Sequence, residues 1–180
     1  MRKIIAGFAT SLDGFIEGPN GEYDWIIFDK EEQKEVAKSW QNSDAMFIGR
    51  KTYEVTRAMK NKSKSKSNPF GHMKLYVFSN TLDSVDEGYV LVNGDIEKEI
   101  EKIKEEKGKD IMVFGGAELV SSLLNMNLID ELVLAVMPLV LGKGKSLFQK
   151  IDTRIDFSLK DCKTLSSGVV RMTYEPKKAV

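Results

Sequence analysis

The sequence predicts an α/β protein in which helices flank a central sheet that is parallel in large part. Two observations predict it. Short apolar runs alternate with charged segments whose apolar residues recur at helical spacing. The last two apolar runs instead flank the short Ser166–Gly168 turn. Parallel strands need a crossover between them whereas a tight turn joins antiparallel strands, so we expect a mostly parallel sheet with a C-terminal antiparallel hairpin.

The apolar runs define the predicted strands, because each is too short and too apolar for a surface helix. Gly14 and the Gly18–Gly21 stretch follow the first run and predict turns or a loop. In chain order the predicted strands are Lys3–Ala9, Asp44–Gly49, Lys74–Ser79, Asp110–Phe114, Glu131–Val140, Phe157–Leu165 and Val169–Glu175.

The charged segments between these runs define the predicted helices. Val36, Ala37 and Trp40 share one face of the first helix, and its early acids suit a helix N-terminus. A later helix carries isoleucines at three- and four-residue spacing, and Gly108 is expected to end it. The predicted helices begin after Asp29, at Lys51 or Thr52, near Asp95 and at Ala117.

Composition and charge exclude several classes of protein. The chain has 180 residues, with 42% hydrophobic and 30% charged, which suits a single domain over residues 1–180 rather than a disordered chain. Its 27 basic and 27 acidic side chains cancel, so we expect neither nucleic acid nor a membrane surface as a partner. No apolar run approaches the roughly 18 residues of a membrane span, and no signal peptide is recognisable, so we expect a cytoplasmic protein.

The single cysteine and single histidine exclude an internal disulfide and make a zinc site unfavourable, so no metal is predicted. Cys162 is expected to be a buried small residue rather than a nucleophile, and His72 a solvated loop residue. In Lys60–Phe70, lysine and serine alternate with no apolar period, which favours a solvated loop over the alternative of a phosphate-binding one.

Polar residues and glycines follow several predicted strands. After one strand come Gly49, Arg50, Lys51 and Thr52, which combine a close backbone approach, positive charge and a hydroxyl at a helix N-terminus. Such a combination favours a phosphate site, although a Gly-Arg pair at a strand end also has structural explanations.

Two further strand ends carry similar signals. Gly115 and Gly116 can leave backbone N–H groups facing a ligand or simply form a tight turn, and their spacing excludes the dinucleotide fingerprint of the Rossmann fold. Ser79, Asn80 and Thr81 cluster at the end of another strand. Because open α/β sheets bind ligands at the carboxyl ends of their strands, we expect these residues to line one crevice.

These motifs, in this order, resemble the dihydrofolate reductase superfamily. The resemblance is carried by IAGFATSLDGFI, GRKTYE, VFSN, FGGAEL and IDELVLAVMPLVLGKGKSLF, and it covers most of the chain. It is closest to stand-alone proteins related to the reductase domain of the bifunctional riboflavin-biosynthesis deaminase–reductase. The resemblance implies a mostly parallel sheet of eight or nine strands, an NADPH cofactor, a cis Gly115–Gly116 bond and a homodimer. Residues Leu132, Leu134 and Val136 could support that dimer or belong to the monomer core.

The resemblance also implies roles for individual residues. Gly49, Arg50, Lys51 and Thr52 would contact the cofactor phosphates, and Ser79 and Asn80 would lie near the adenosine ribose and its 2′-phosphate. The diphosphate and the nicotinamide side would be held by Gly115, Gly116, Ala117, Glu118 and Leu119.

The substrate side departs from both groups of relatives. Riboflavin reductases usually carry a glutamate before the Gly-Gly pair, where this chain has Phe114, and the folate-binding acid has only Asp29, Glu31 and Glu32 as possible equivalents. The DWI segment (Asp24–Ile26) instead resembles the tryptophan-isoleucine pair of the riboflavin reductases, so Asp24 and Trp25 are expected in the substrate pocket. For Trp25 the alternative is the core, and for Asp24 an exposed loop.

Asp13 is the candidate catalytic residue, since SLDG ends the first strand beside the expected nicotinamide site; its alternative is a turn that binds backbone. The predicted function is an NADPH-dependent reductase of a small heterocyclic or phosphoribosylamino-pyrimidine-type substrate. Dihydrofolate or pterin reduction, and nucleotide binding without catalysis, stay open as alternatives.

Overall fold

A central sheet of eight strands organises the computed structural model, which describes residues 1–62 and 70–177. The strands are β1 (Ile4–Thr10), β2 (Phe15–Glu17), β3 (Ser43–Gly49), β4 (Lys74–Phe78), β5 (Tyr89–Val92), β6 (Asp110–Gly115), β7 (Glu131–Val136), β8 (Lys145–Ser146), β9 (Phe157–Thr164) and β10 (Val170–Pro176). The helices are α1 (Lys30–Gln41), α2 (Arg50–Lys62), α3 (Ile96–Glu105) and α4 (Ala117–Asn125).

The order of the strands in the sheet is β5-β4-β3-β6-β1-β7-β10-β9, and β2 pairs separately with β8. From β5 to β7 all neighbours are parallel, whereas β10 is antiparallel to both β7 and β9. The predicted fold class, a mostly parallel sheet with a C-terminal antiparallel hairpin, is therefore confirmed. The parallel strands β4, β3 and β6 are neighbours, so their carboxyl ends meet at one edge of the sheet.

Helices cover both faces of the sheet because the inner strands are apolar on both sides. On one face, Phe47 of β3 packs in a cluster with Ile100 of α3 and Leu123 of α4. On the other face, Met46 belongs to a cluster with Tyr53 of α2, against which Trp40 of α1 packs. Successive residues of β3 thus enter opposite cores, as the two-residue period of a strand requires.

The structure confirms one predicted helix cap and differs from the prediction at the start of α2, at Ala37 and at the end of α3. Asp29 caps α1 as expected, and its Oδ1 accepts from the N–H groups of Glu31 and Glu32 at 2.9 Å. The second helix begins at Arg50, directly after β3, one residue earlier than predicted. Ala37 is exposed rather than on the inner face of α1, because that face carries Glu32, four residues before Val36. Gly108 lies beyond the end of α3, where a Cβ would stand 2.7 Å from Asp44 Oδ2.

Three short strands, β2, β5 and β8, were not predicted, because two to four residues carry too weak a pattern. The strand predicted over Glu131–Val140 ends at Val136, shortly before Pro138, which has no N–H to donate. Cys162 is exposed rather than buried, since the outer part of the edge strand β9 has no covering layer. His72 is exposed, as predicted.

Some predictions concern residues that the structure does not describe. The loop predicted over Lys60–Phe70 is one, because its residues 63–69 lie outside the described residues. Within residues 1–62 and 70–177, no helix is long and apolar enough to cross a membrane. Leu132 is buried in the core cluster of this chain and Leu134 packs against it, which fits the core alternative for these side chains. The homodimer stays a prediction.

Arg2 ties the starts of β3 and β6 to the end of α3. Its side chain is only 5% exposed, and it forms an ion pair with Asp44, the second residue of β3. Its Nε donates to the Lys109 carbonyl at 2.7 Å, and its Nη1 donates to the Ile103 carbonyl at 3.3 Å. Asp44 in turn accepts from the Lys109 N–H at 2.8 Å. Arg2 is thus buried with acceptors around its guanidinium, whereas its partner Asp44 is 36% exposed.

Arg2→Ala is expected to lower the free energy of unfolding by about 1.5–3 kcal/mol, because it removes a charged hydrogen bond to the partly exposed Asp44 and leaves the carbonyls of Lys109 and Ile103 without this donor. Urea unfolding at neutral pH measures the loss. Arg154→Ala is the control, since Arg154 pairs with Asp156 while 84% exposed and should change stability little. Equal effects of the two substitutions would contradict the role assigned to Arg2.

Candidate active site

A cleft of about 330 Å³ opens where β3, β4 and β6 end and where α2 and α4 begin. We call it the glycine cleft. It brings together every residue predicted for the cofactor except Gly115, which lies beside it: a Cβ at Gly115 would be 3.3 Å from Thr52 Oγ1. The residues lining the cleft are Gly49, Arg50, Lys51, Thr52, Phe78, Ser79, Asn80, Thr81, Ile96, Gly116, Ala117, Glu118, Leu119, Ser122 and Lys145.

Glycines allow the ends of β3 and β6 to approach closely. A Cβ at Gly49 would lie 3.3 Å from the Gly116 nitrogen and 3.5 Å from the Gly115 oxygen, tighter than an ordinary contact at the nitrogen. Gly115 has φ +123°, a conformation that other residues rarely adopt. The Gly115–Gly116 peptide bond is cis, as the family resemblance implied. This turn therefore carries no Cβ of its own, and the Thr52 side chain lies against it, since a Cβ at Gly115 or at Gly116 would be 3.3 Å from Thr52 Oγ1.

Two helix N-termini face the cleft without acidic caps. Gly116 precedes α4 and makes no side-chain cap, although Glu118 is an acid in the first turn of α4; α2 follows Gly49 with no acid in its first turn. By contrast, aspartates cap α1 and α3 through their side chains. The first N–H groups of a helix have no partner within it, and the helix dipole makes this end positive. Both helices therefore offer hydrogen-bond donors to an anion in the cleft.

Three cations line the cleft or reach its rim, and each is paired with a carboxylate. Arg50 contacts Glu54 at 2.9 Å, and Lys145 contacts Glu17 at 3.1 Å. Lys51 contacts Glu118 at 3.1 Å across the cleft, and this contact holds the pKa of Glu118 below its usual value. Ion pairs this accessible to solvent stabilise the protein little, so a phosphate that enters the cleft could replace the carboxylates as the partner of these cations.

The polar residues after β4 shape the wall of the cleft. Ser79 Oγ accepts from the N–H groups of Thr81 and Leu82, both at 3.1 Å. Asn80 Oδ1 accepts from the Gly94 N–H at 3.2 Å. Both side chains thus hold the turn that follows β4, and Ser79, Asn80 and Thr81 all line the cleft.

A second cavity of about 330 Å³ lies between α1 and the sheet. We call it the aromatic pocket. Both cavities are lined from the end of β6: Phe114 lines the pocket, and Gly116, just after the strand, lines the cleft. The residues lining it are Ile5, Gly7, Phe8, Ala9, Ile26, Phe28, Glu32, Val36, Ser39, Trp40, Met46, Met112, Val113, Phe114, Val133, Ala135 and Arg171.

Glu32 places a buried carboxylate in the aromatic pocket. The residue is 4% exposed, and its Oε1 accepts from Arg171 Nη1 at 2.5 Å. Its other oxygen, Oε2, is buried without a hydrogen-bond partner among the described residues. Burial raises the pKa of Glu32, and the neighbouring Arg171 opposes that shift. The sequence analysis names Glu32 only as one of three possible acids, with Asp29 and Glu31. Its four-residue spacing from Val36, and of Val36 from Trp40, places Glu32 on the inner face of α1 and could have distinguished it from the other two.

The three residues predicted for the substrate side lie elsewhere. Asp13 is exposed, and its two carboxylate oxygens accept from the N–H groups of Leu141, at 3.1 Å, and Gly142, at 2.7 Å. The Ser11 side chain and these two N–H groups lower its pKa. Asp13 therefore binds the loop after β7, as its alternative proposed, and a catalytic role stays a prediction.

Asp24 and Trp25 are absent from the described lining of the aromatic pocket. Asp24 is exposed. Trp25 packs against the cluster of Ala135 and Met137 below the loop, and its Nε1 donates to the Glu22 carbonyl at 3.0 Å. The residues of this loop that do line the pocket are Ile26 and Phe28.

Sheet order, crossing helices and the glycine cleft together define an α/β protein with the fold of dihydrofolate reductase. The chain belongs to the RibD C-terminal domain family, whose match covers residues 2–171. It is 37% identical over 179 residues to the uncharacterized protein YyaP of Bacillus subtilis, covering 96% of this chain and 94% of that protein. It is 32% identical over 170 residues to YwjB of the same organism, covering 93% and 95%.

Solved structures share this fold at lower identity. A putative riboflavin biosynthesis protein from Shewanella sp. PV-4 superposes with a TM-score of 0.84 at 24% identity, covering 99% of this chain and 100% of that one. The Thermotoga maritima deaminase/5-amino-6-(5-phosphoribosylamino)uracil reductase gives 0.71 at 15%, covering 98% of this chain and 57% of its own. Dihydrofolate reductase from Enterococcus faecalis, complexed with NADP(H), gives 0.69 at 15%, covering 98% and 97%.

The pKa values of the neighbours Glu31 and Glu32 are shifted in opposite directions, so their contributions to stability should depend on pH in opposite ways. The raised pKa of Glu32 means that its contribution to stability is present below the unfolded pKa, about 4.3, and is lost as pH rises through the folded pKa. Glu31 accepts from the hydroxyl and N–H of Ser166, both at 2.7 Å, which lower its pKa. Its contribution is present above about 4.3 and is lost as pH falls through the lower folded pKa.

Denaturant unfolding of wild type, Glu32→Gln and Glu31→Gln across pH 3 to 7 measures these contributions. The free-energy difference between wild type and Glu32→Gln is expected to fall as pH rises above about 4.3. The difference between wild type and Glu31→Gln is expected to fall as pH drops below that value. A flat or rising difference for Glu32→Gln would contradict the buried, poorly solvated carboxylate described here.

Proposed function

We propose that this protein is an NADPH-dependent oxidoreductase that transfers a hydride to a small heterocyclic substrate. Membership of the RibD C-terminal domain family supports a reductase of the riboflavin-pathway type. The observation that carries the proposal is that two cavities lie at the end of β6. Gly116 lines a cleft in which two helices begin, and Phe114 lines an aromatic pocket with a buried carboxylate.

The glycine cleft has the features that a dinucleotide diphosphate requires. Backbone N–H groups at the start of α4, beside Ala117 and Glu118, would donate to phosphate oxygens, and Thr52 would add a hydroxyl at the start of α2. Arg50 and Lys51 would leave Glu54 and Glu118 to bind phosphate charge. Gly116, which lines the cleft, has no side chain to obstruct the cofactor, and Thr52 Oγ1 lies beside it, 3.3 Å from where a Cβ would stand. When bound there, the nicotinamide ring supplies the hydride.

The aromatic pocket supplies the substrate side. Apolar walls exclude water from the reacting atoms, which strengthens electrostatic interactions inside the pocket. Glu32 can hold or release a proton at Oε2, because burial brings its pKa closer to neutrality than that of an exposed glutamate. Arg171 fixes the carboxylate through Oε1, so that Oε2 keeps one orientation. Glu32 is therefore our candidate for orienting or protonating the substrate.

Two substrate types suit a reductase of this family. The Thermotoga maritima relative is named for a phosphoribosylamino-uracil, which makes a phosphoribosylamino-pyrimidine one candidate. Reduction of a dihydrofolate or pterin is the second. It is favoured by the buried Glu32 on α1 and by Phe114, which stands where riboflavin reductases usually carry a glutamate. Cofactor binding without turnover of either type would indicate a nucleotide-binding protein that does not catalyse reduction.

Wild-type protein is expected to bind NADPH more tightly than NADH, and Arg50→Ala to weaken NADPH binding by about 10- to 100-fold, the effect of losing one charged hydrogen bond. Cofactor fluorescence titration measures both. Arg57→Ala is the matched control, because Arg57 lies on the same helix but pairs with Asp86 at 3.0 Å, outside the described lining of the cleft. Absence of nicotinamide dinucleotide binding, or equal losses in the two variants, would contradict the proposed cofactor site.

A further inference from the structure

Glu118 is the one acid among the described residues that line the glycine cleft. The cations of the cleft, Arg50, Lys51 and Lys145, each pair with a carboxylate, but the partners of Arg50 and Lys145 lie outside the described lining. When a phosphate binds those two cations, their carboxylates need not remain beside it. Glu118 belongs to the lining itself, so its carboxylate has to give up Lys51, or share it, whenever an anion binds there.

The contact between Lys51 and Glu118 joins the starts of two helices. Each is the second residue of its helix, α2 or α4, and Lys51 Nζ lies 3.1 Å from Glu118 Oε1. The contact thus connects the two helix ends whose free N–H groups would receive a phosphate. A carboxylate in this position resembles part of the ligand, because it is an anion held at a positive helix end by a lysine.

The fold gains little from this contact. The side chains of Lys51 and Glu118 are 62% and 55% exposed, and ion pairs that accessible contribute little to stability. An acid in the first turn also suits the helix dipole, as Glu97 does in α3, but that effect does not require a lysine from another helix. Lys51 above all, and then the charges of Lys150 and Lys145, lower the pKa of Glu118, so its carboxylate stays ionised at neutral pH.

From its place in the cleft and its contact with Lys51, we infer that Glu118 is a built-in competitor for the phosphate groups of the ligand. It pairs with Lys51 in the free protein and gives it up when a phosphate binds, so the cleft binds its ligand less tightly than its donors alone would allow. The inference rests on the proposed function for the identity of that ligand, a dinucleotide diphosphate. It differs from a positioning role, in which Glu118 would hold Lys51 ready for the phosphate and its loss would weaken binding.

Binding of NADPH and of inorganic pyrophosphate at neutral pH and low ionic strength tests the inference. Fluorescence titration follows NADPH, and isothermal titration calorimetry follows pyrophosphate. Low ionic strength is needed because salt screens interactions between exposed charges. The variants are Glu118→Gln, Lys51→Gln and the double variant that combines them. Glu105→Gln is the matched control, since it removes an exposed acid at the last residue of α3, outside the described lining of the cleft.

Glu118→Gln is expected to bind both ligands at least about threefold more tightly than wild type, because it releases Lys51 and removes a like charge from the cleft. Glu105→Gln should bind both ligands as wild type does. Lys51→Gln should weaken NADPH binding more in the Glu118→Gln background than in wild type, because only in wild type does the cofactor have to break the pair. Repulsion by Glu118 without competition for Lys51 would give equal losses in the two backgrounds.

If wild type binds a ligand and Glu118→Gln does not bind it more tightly, the inference is overturned, and weaker binding would indicate the positioning role instead. Equal effects of Lys51→Gln in the two backgrounds would overturn the competition for Lys51. Pyrophosphate separates the inference from the proposed function. Tighter pyrophosphate binding by Glu118→Gln, with no NADPH binding by any sample, overturns the cofactor and leaves the competitor as inferred. No binding of either ligand by any sample overturns both.

Discussion

The close approach of β3 and β6 at their carboxyl ends determines where the site can form. Gly49 allows this approach, because its Cα faces the backbone of Gly116 with no room for a side chain. The neighbouring parallel strands bring the starts of α2 and α4 to the same edge. Positive helix ends, backbone donors and cations then share one cleft as a consequence of sheet geometry. The same strand β6 continues the site into the aromatic pocket through Phe114.

The buried pair of Glu32 and Arg171 is the second constraint on the site. Taking two charges out of water is costly, and a buried pair often stabilises a fold less than apolar residues would. Leaving one carboxylate oxygen without a partner adds to that cost. Local structures that are costly for stability and face a cavity are characteristic of functional sites. Glu32 therefore fits a role in ligand binding better than a role in folding.

The sequence predicted which residues share the glycine cleft, because the signals that bring them together are local. An apolar run, a glycine and a helix start within a few residues define each strand end, as at Gly49–Thr52 and Gly115–Leu119. The substrate side could not be predicted in the same way. The buried carboxylate of Glu32 depends on its contact with Arg171, 139 residues later in the sequence. Trp25 packs against the cluster around Met137 instead of lining the pocket. The backbone N–H groups that the Asp13 carboxylate accepts from likewise belong to a loop that begins about 128 residues later, at Leu141 and Gly142.

A crystal structure of the complex with NADP⁺ tests the central claim most directly. The account predicts diphosphate oxygens within hydrogen-bond distance of the N–H groups that begin α4 and of the residues after Gly49. It also predicts a nicotinamide ring that passes Gly116 and ends beside Phe114, facing the aromatic pocket. A cofactor bound away from the two helix N-termini, or a nicotinamide ring directed away from that pocket, would contradict it.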